Sequence, residues 1–470
     1  MLAKQSRLAN LPPSKSSVRY SPLLENDYPE SLCSDLSARA CVRLSGLIDR
    51  ELFMKTILVS VMLSVATCSF GQPVTEKVLW SFGGASMNDG SAPLGKLVMD
   101  ASGNLYGTTS VGGSRSNCPG GCGTVFELSP SSDDGWTETI IYDFCSVGSD
   151  CEDGAFPYAG LVFDEKGNLY GTTYAGGNDG GTVFELSPPS RGSDPWTETV
   201  LYSFCSAGEN CPDGGSPYSK LTFDASGNLY GTTAGGGSGN GGTVFELSPG
   251  ANGWTESVHY NFCSVGSYPH CVDGLAPEAG VTFDSSGSLY GTTLAGGSSR
   301  YLGGGLVYKL SPGSQGWTKS NVYVFNQPNY KNGAGLYGEV NFDKNGNIYS
   351  TAAGGGQYGA GGAFRLSSRA PLEYTLSFNY QVGAYEPHAG VLIDEANNTF
   401  YGTNSTGGAG NAGDVFKIAG KTVTSLYTFT GGADGGSPMA ALTADKAGNL
   451  YGTTKSGGAN NLGVVFEIVK

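Results

Sequence analysis

Histidine is almost missing from this chain of 470 residues, with three copies at His259, His270 and His388. No HExxH pair can be built from them, so a zincin-type metal centre is excluded. Charge is scarce as well, at 14% of residues, and positive charge scarcer still, with 26 Lys and Arg against 41 Asp and Glu. Residues 1–71 hold 8 of the basic and 6 of the acidic groups, which leaves 18 basic against 35 acidic in the remainder. A surface so acidic repels phosphate, so nucleic acid is not expected as a partner. No apolar run reaches the length needed to cross a bilayer as a helix. There is no G-x-S-x-G elbow and no EF-hand loop with its closing Glu. No Gly-rich run leads into Lys-Ser/Thr and a helix, so a nucleotide loop is not expected either.

Glycine, by contrast, is abundant, with 76 copies, and aromatics make up 11%. Much of the glycine falls in one recurring segment, "GNLYGTT" at Gly103, Gly167, Gly227 and Gly448, "GSLYGTT" at Gly287, "GNIYSTA" at Gly346 and "NTFYGTN" at Asn398. Its tyrosines recur every 50 to 64 residues, a period that spans four strand-like runs. In the second repeat these runs are Ala159–Asp164, Leu169–Thr173 with its preceding Asn, Gly181–Leu186 and Trp196–Phe204, here termed A, B, C and D. Short turn-rich links join A to D as an up-and-down meander. Seven such meanders predict an all-β fold, a seven-bladed β-propeller of four-stranded antiparallel blades over residues 72–470. A strand-interior glycine weakens a strand. Its repetition predicts that Gly171 and its equivalents make room for an aromatic ring, expected from the next blade. The first run, Val78–Phe82, matches strand D, and the last, Gly463–Ile468, matches strand C. The N-terminal strand should therefore pair with Val464–Val469 and close the ring.

Residues 54–71 read as a Sec signal peptide: Lys55, an apolar run Ile57–Ala66, then Ser69 and Gly71 as small residues before cleavage. Cys68 in "VATC" loosely fits a lipoprotein box. Residues 1–53 read as a disordered leader or as upstream sequence, with Met54 as the true start. A secreted or extracytoplasmic chain without a membrane span follows. Eight cysteines remain beyond this segment, in near-neighbour pairs Cys118 and Cys122, Cys145 and Cys151, Cys205 and Cys211, Cys263 and Cys271. They predict four local disulfides, each worth roughly 2 kcal/mol for a loop of about seven residues. Thiolate metal sites are the rival reading, and they lack CxxC spacing and partner histidines.

The pattern "NLYGTT..GG....GTVFELSP" resembles the GloVer tandem repeat of exported bacterial proteins with varied C-terminal anchors. The resemblance covers roughly residues 78–470, with blades five and six departing from it as "YSTAAGGG" and "YGTNSTGG". It implies export and a repeat-built β architecture, and no particular chemistry. With the chain ending at Lys470, right after the last strand, a freely secreted form is expected.

Two recurring aspartates need separating. One ends strand A in all seven repeats, as at Asp164, and suits a local side-chain to backbone hydrogen bond. The other precedes the proline that opens strand A, at Asp89, Asp153, Asp213, Asp273 and Asp434, with Asn332 and Gly383 completing the set. These five should ring one mouth of the channel, and read either as Asp-Gly turns, the reading we favour, or as a Ca²⁺ site. No other cofactor is expected. Just after that proline, or after Leu336 where it is missing, the repeats diverge: Leu94, Tyr158, Tyr218, Glu278, Tyr337, His388 and Met439. Neighbouring positions hardly vary. Tyr158, Tyr218, Tyr337, Glu278 and His388 are thus the candidate ligand-binding residues at the channel mouth, against the alternative of a tolerant, exposed rim. No catalytic residue is identified. Three function classes follow: a monomeric binding or scaffold module for an extracellular carbohydrate or protein, a propeller enzyme of lactonase or lyase type, and a purely structural surface repeat.

Overall fold

Strand by strand, the computed structural model follows the sequence periodicity. It describes residues 74–470 apart from 116, 133–134, 191–193, 299–302, 326–329, 368–373 and 379–382. The leader and signal segments assigned to residues 1–71 lie outside the described residues. Seven antiparallel four-stranded blades form a propeller ring, and the described residues hold no α-helix. Blade two runs Val162–Phe163 (A), Leu169–Thr173 (B), Thr182–Ser187 (C) and Thr197–Ser203 (D), paired in that order. In the closing blade, Thr75–Ser81 supplies strand D and pairs with Val464–Val469, from Thr75 opposite Val469 to Ser81 opposite Val464. The ring closes as the sequence frame requires.

The repeated glycine accommodates a ring, but from a nearer source than expected. Gly171 lies directly opposite Phe184 of strand C in its own blade. A Cβ built on Gly171 would sit 2.5 Å from the Phe184 Cζ and 2.9 Å from Leu161 Cδ2. The neighbouring blade contributes one layer further out, where Phe144, just after strand D of blade one, packs edge-on against Phe184 at 5.1 Å. Such a contact bridges every blade boundary, and Phe82 against Phe126 at 5.2 Å completes the circle across the closure. A side chain at Gly171 is excluded by its cross-strand partner, since side chains directly opposite in a sheet share one face.

The two threonines of "YGTT" do different work. The second meets a strand C threonine, as Thr173 does Thr182 at 2.8 Å. The first donates across the blade boundary: Thr172 Oγ1 to the Ser219 carbonyl at 3.2 Å, Thr232 to Ala279 at 3.0 Å, Thr351 to Ala389 at 2.7 Å. These carbonyls belong to the innermost segment of the next blade. The motif therefore fixes the wall of the central channel.

Candidate functional site at the channel mouth

Innermost segments of all seven blades converge on a cavity of about 400 Å³. Along the segment of blade three, burial alternates. Tyr218 and Lys220 are partly exposed while Ser219 and Leu221 are buried, so residues two apart face the channel together. The first such position brings Leu94, Tyr158, Tyr218, Glu278, Tyr337, His388 and Met439 into one lining. All five candidate ligand-binding residues thus share a single cavity.

Their arrangement is unequal around the ring. Tyr158 and Tyr218 stack at 4.8 Å with 28° between their planes, and Tyr174 stands edge-on to them at 5.2 and 6.0 Å. Tyr337 tilts against His388 at 4.7 Å. Burial pushes the Glu278 carboxyl up to about 7. Burial and the neighbouring Glu278 push the Tyr218 phenol up to about 12, so it stays protonated as a donor at neutral pH. Burial lowers His388, which keeps its imidazole neutral under the same conditions. Glu278 and His388 stand two blades apart with Tyr337 between them.

Two features here were missed from the sequence. Tyr174 follows the "YGTT" motif at a position that also varies between blades. The second lies two residues beyond the variable rim position, where the blades read Lys96, Gly160, Lys220, Gly280, Glu339, Gly390 and Ala441. Comparing the repeats at that position would have found it. Three pairs of neighbouring segments approach closely here. A Cβ on Gly160 would lie 2.6 Å from the Lys96 carbonyl oxygen, one on Gly280 2.8 Å from that of Lys220, and one on Gly390 2.6 Å from that of Glu339. Long charged side chains thus alternate with glycine around the ring. Lys220 Nζ lies 3.3 Å from Glu339 Oε2. Burial pulls the Glu339 carboxyl upward, but Lys220 and Lys96 outweigh it and hold it below its usual range. Burial lowers Lys96 from the ordinary lysine range, with Glu339 opposing that pull.

None of the five aspartates weighed as a Ca²⁺ site lines this cavity. The expectation that they ring the channel mouth is corrected by their loops, which run along the outer strands. Asp153 accepts hydrogen bonds from Tyr142 Oη on strand D of blade one at 2.8 Å, from Ser146 N at 2.8 Å and from Ser146 Oγ at 2.9 Å. Asp213, Asp273 and Asp434 repeat the phenol and backbone contacts, and Asp89 accepts from Gly83 N and Gly90 N. Donors aimed at these oxygens compete with a cation for the same lone pairs.

Near four of these aspartates, strand D of the blade being entered carries a glutamate at one register position: Glu138 opposite Leu128, Glu198 opposite Leu186, Glu256 opposite Leu247 and Glu76 opposite Ile468. Burial, then the neighbouring aspartate, raises Glu138 to about 8 and the other three to about 7. Blade four places Lys319 there beside Asp273, and blade six pairs the absence of the aspartate, Gly383, with Val423.

The eight cysteines pair as expected, Cys118–Cys122, Cys145–Cys151, Cys205–Cys211 and Cys263–Cys271. The first two bridges are neighbours, with the four sulfurs within 4.8 Å of one another. Disulfides of this kind indicate an extracytoplasmic protein. Among the described residues, no helix is long and apolar enough to cross a membrane.

The profile of the Gloeobacter/Verrucomicrobia repeat matches residues 70–213 and 270–466. The chain belongs to that family. Blade three falls outside the matched ranges, yet it keeps the family's strand pattern and register. No curated protein matches the sequence. Among solved structures, the chain is similar to a putative 6-phosphogluconolactonase from Bacteroides uniformis, at 12% identity over 75% of this chain and 95% of that one, with a TM-score of 0.43. A putative 6-phosphogluconolactonase from Bacteroides fragilis is 13% identical over 71% and 82%, with a TM-score of 0.42. A gluconolactonase from Xanthomonas campestris is 12% identical over 84% and 89%, with a TM-score of 0.37. Likenesses this distant carry no argument about chemistry.

Proposed function

We propose that this family member is a secreted binding propeller whose channel mouth holds an extracellular carbohydrate without turning it over. The stacked Tyr158 and Tyr218, flanked by Tyr174, carry the reading. Partly exposed aromatic rings at a concave site suit the apolar face of a sugar ring, while the phenol hydroxyls supply directional hydrogen bonds. The site breaks the sevenfold repeat where the surrounding wall keeps it, as a binding site on a packed scaffold must. A cavity of about 400 Å³ favours a sugar over a protein surface, which needs a broad, flatter contact. An acid and a base two blades apart, separated by a tyrosine, do not form a hydrogen-bonded pair, which favours binding over lactonase or lyase chemistry.

A glycan array on the mature chain tests this directly. Replacing Tyr158, Tyr218 and Tyr337 by Ala should abolish the binding found, with Tm nearly unchanged because the three rings line a cavity. Unaltered affinity in the triple variant would place the site elsewhere.

A further inference from the structure

Resting on the carbohydrate reading, we infer that the channel is built for an acidic sugar, a ring bearing a carboxylate such as a uronic acid, with Lys96 as the carboxylate's partner. Lys96, Lys220 and Glu339 line the same cavity as the tyrosines and lie two residues further along their segments. Two ammonium groups face one carboxylate. Lys220 satisfies Glu339 at 3.3 Å, and among the described residues no ion pair is made by Lys96. A second cation that must share one carboxylate in a narrow channel is costly, and a protein tolerates it where a ligand supplies the missing charge.

Position and setting strengthen the assignment. The chain carries a large excess of acidic groups, so a net positive point at the centre of its ring is not a by-product of composition. Nor is it a by-product of the repeat, because four of the seven equivalent positions are glycine or alanine. A ligand whose ring lies on Tyr158 and Tyr218 would point a substituent from its edge down the channel toward Lys96. Glu278, the other acid lining the cavity, has its carboxyl raised to about 7 by burial, which weakens its opposition to the cation at pH 6.5.

Titration calorimetry at pH 6.5 with methyl glucuronide, methyl glucoside and acetate separates the components. The glucuronide should bind about tenfold or more tighter than the glucoside, as one charge-assisted contact requires, and acetate should bind weakly. Lys96→Met should erase that preference, the glucuronide and the glucoside binding the same variant with equal affinity. Glu339→Gln, which frees Lys220, should tighten the glucuronide several-fold. Equal affinity for the two glycosides, or a preference that survives Lys96→Met, would overturn the acidic-sugar assignment and leave the carbohydrate reading standing. Acetate binding as tightly as the glucuronide would overturn both.

Discussion

Replacing Glu76, Glu138, Glu198 and Glu256 together by Gln should change how this protein responds to pH. Burial and the adjacent aspartates raise these carboxyls from the ordinary 4.5 to about 7, and to about 8 for Glu138. A raised carboxyl binds a proton in the folded chain that the unfolded chain has released. Its contribution is therefore fully present below pH 4.5 or so and is lost as pH rises through 7 to 8. Each tenfold gain in proton affinity on folding corresponds to about 1.4 kcal/mol, which would give three or more kcal/mol per group. All four side chains are only partly buried, so solvent screening cuts this to about 1 kcal/mol each, about 4 in total. For a domain of about 400 residues the unfolding entropy is about 0.8 kcal/mol per degree, and Tm should fall by about 5 °C between pH 5 and pH 8. Depressed carboxyls such as Asp343 and Asp394 lose their contribution only at more acidic pH, below this window. Scanning calorimetry from pH 5 to 8.5 reads the effect, and the quadruple Gln variant should lose most of it. A wild-type Tm that is flat or rising across this range, or a variant that keeps the fall, would refute the reasoning.

Further outcomes follow from the same contacts. Deleting Val78–Phe82 removes the partner of Val464–Val469 and the Phe82 ring, so Tm should fall steeply, and an unchanged Tm would contradict closure by the N-terminal strand. The Tyr308 hydroxyl is fully buried without a hydrogen-bond partner where six blades carry Phe, so Tyr308→Phe should stabilise by about 1 kcal/mol in urea unfolding. Calcium added at millimolar concentration should give neither heat nor a Tm shift, since backbone and phenol donors already face the five aspartates. A clear rise in Tm would restore the metal reading.

The fold was legible because each repeat states it again, as four strand-like runs, and because an unpaired D stands at one end with an unpaired C at the other. That Tyr158, Glu278 and His388 would line one cavity was legible for the opposite reason, since they stand at a position where the repeats disagree. Radial placement was not. Asp153 and Tyr158 are five residues apart, yet the first is tied to the outermost strand of the previous blade and the second faces the channel. Sequence distance carries no such information where a loop crosses a blade from edge to centre. The source of the aromatic ring beside Gly171 was hidden likewise, because register across strands B and C depends on a hairpin of variable length.

The alternation of charged residues and glycine around the channel carries a constraint of parity. A ring with an even number of blades can alternate large and small without fault, whereas a ring of seven must place two of one kind side by side. Here the fault falls between blades six and seven, where Gly390 is followed by Ala441 before Lys96 begins the cycle again. Ala441 alone among the small members has a methyl group. The channel therefore has an uneven cross-section, with three long side chains spread over one arc and Gly390 and Ala441 side by side in the rest. Whatever enters it meets distinct walls in a fixed rotational order, although the scaffold around the channel nearly repeats itself seven times.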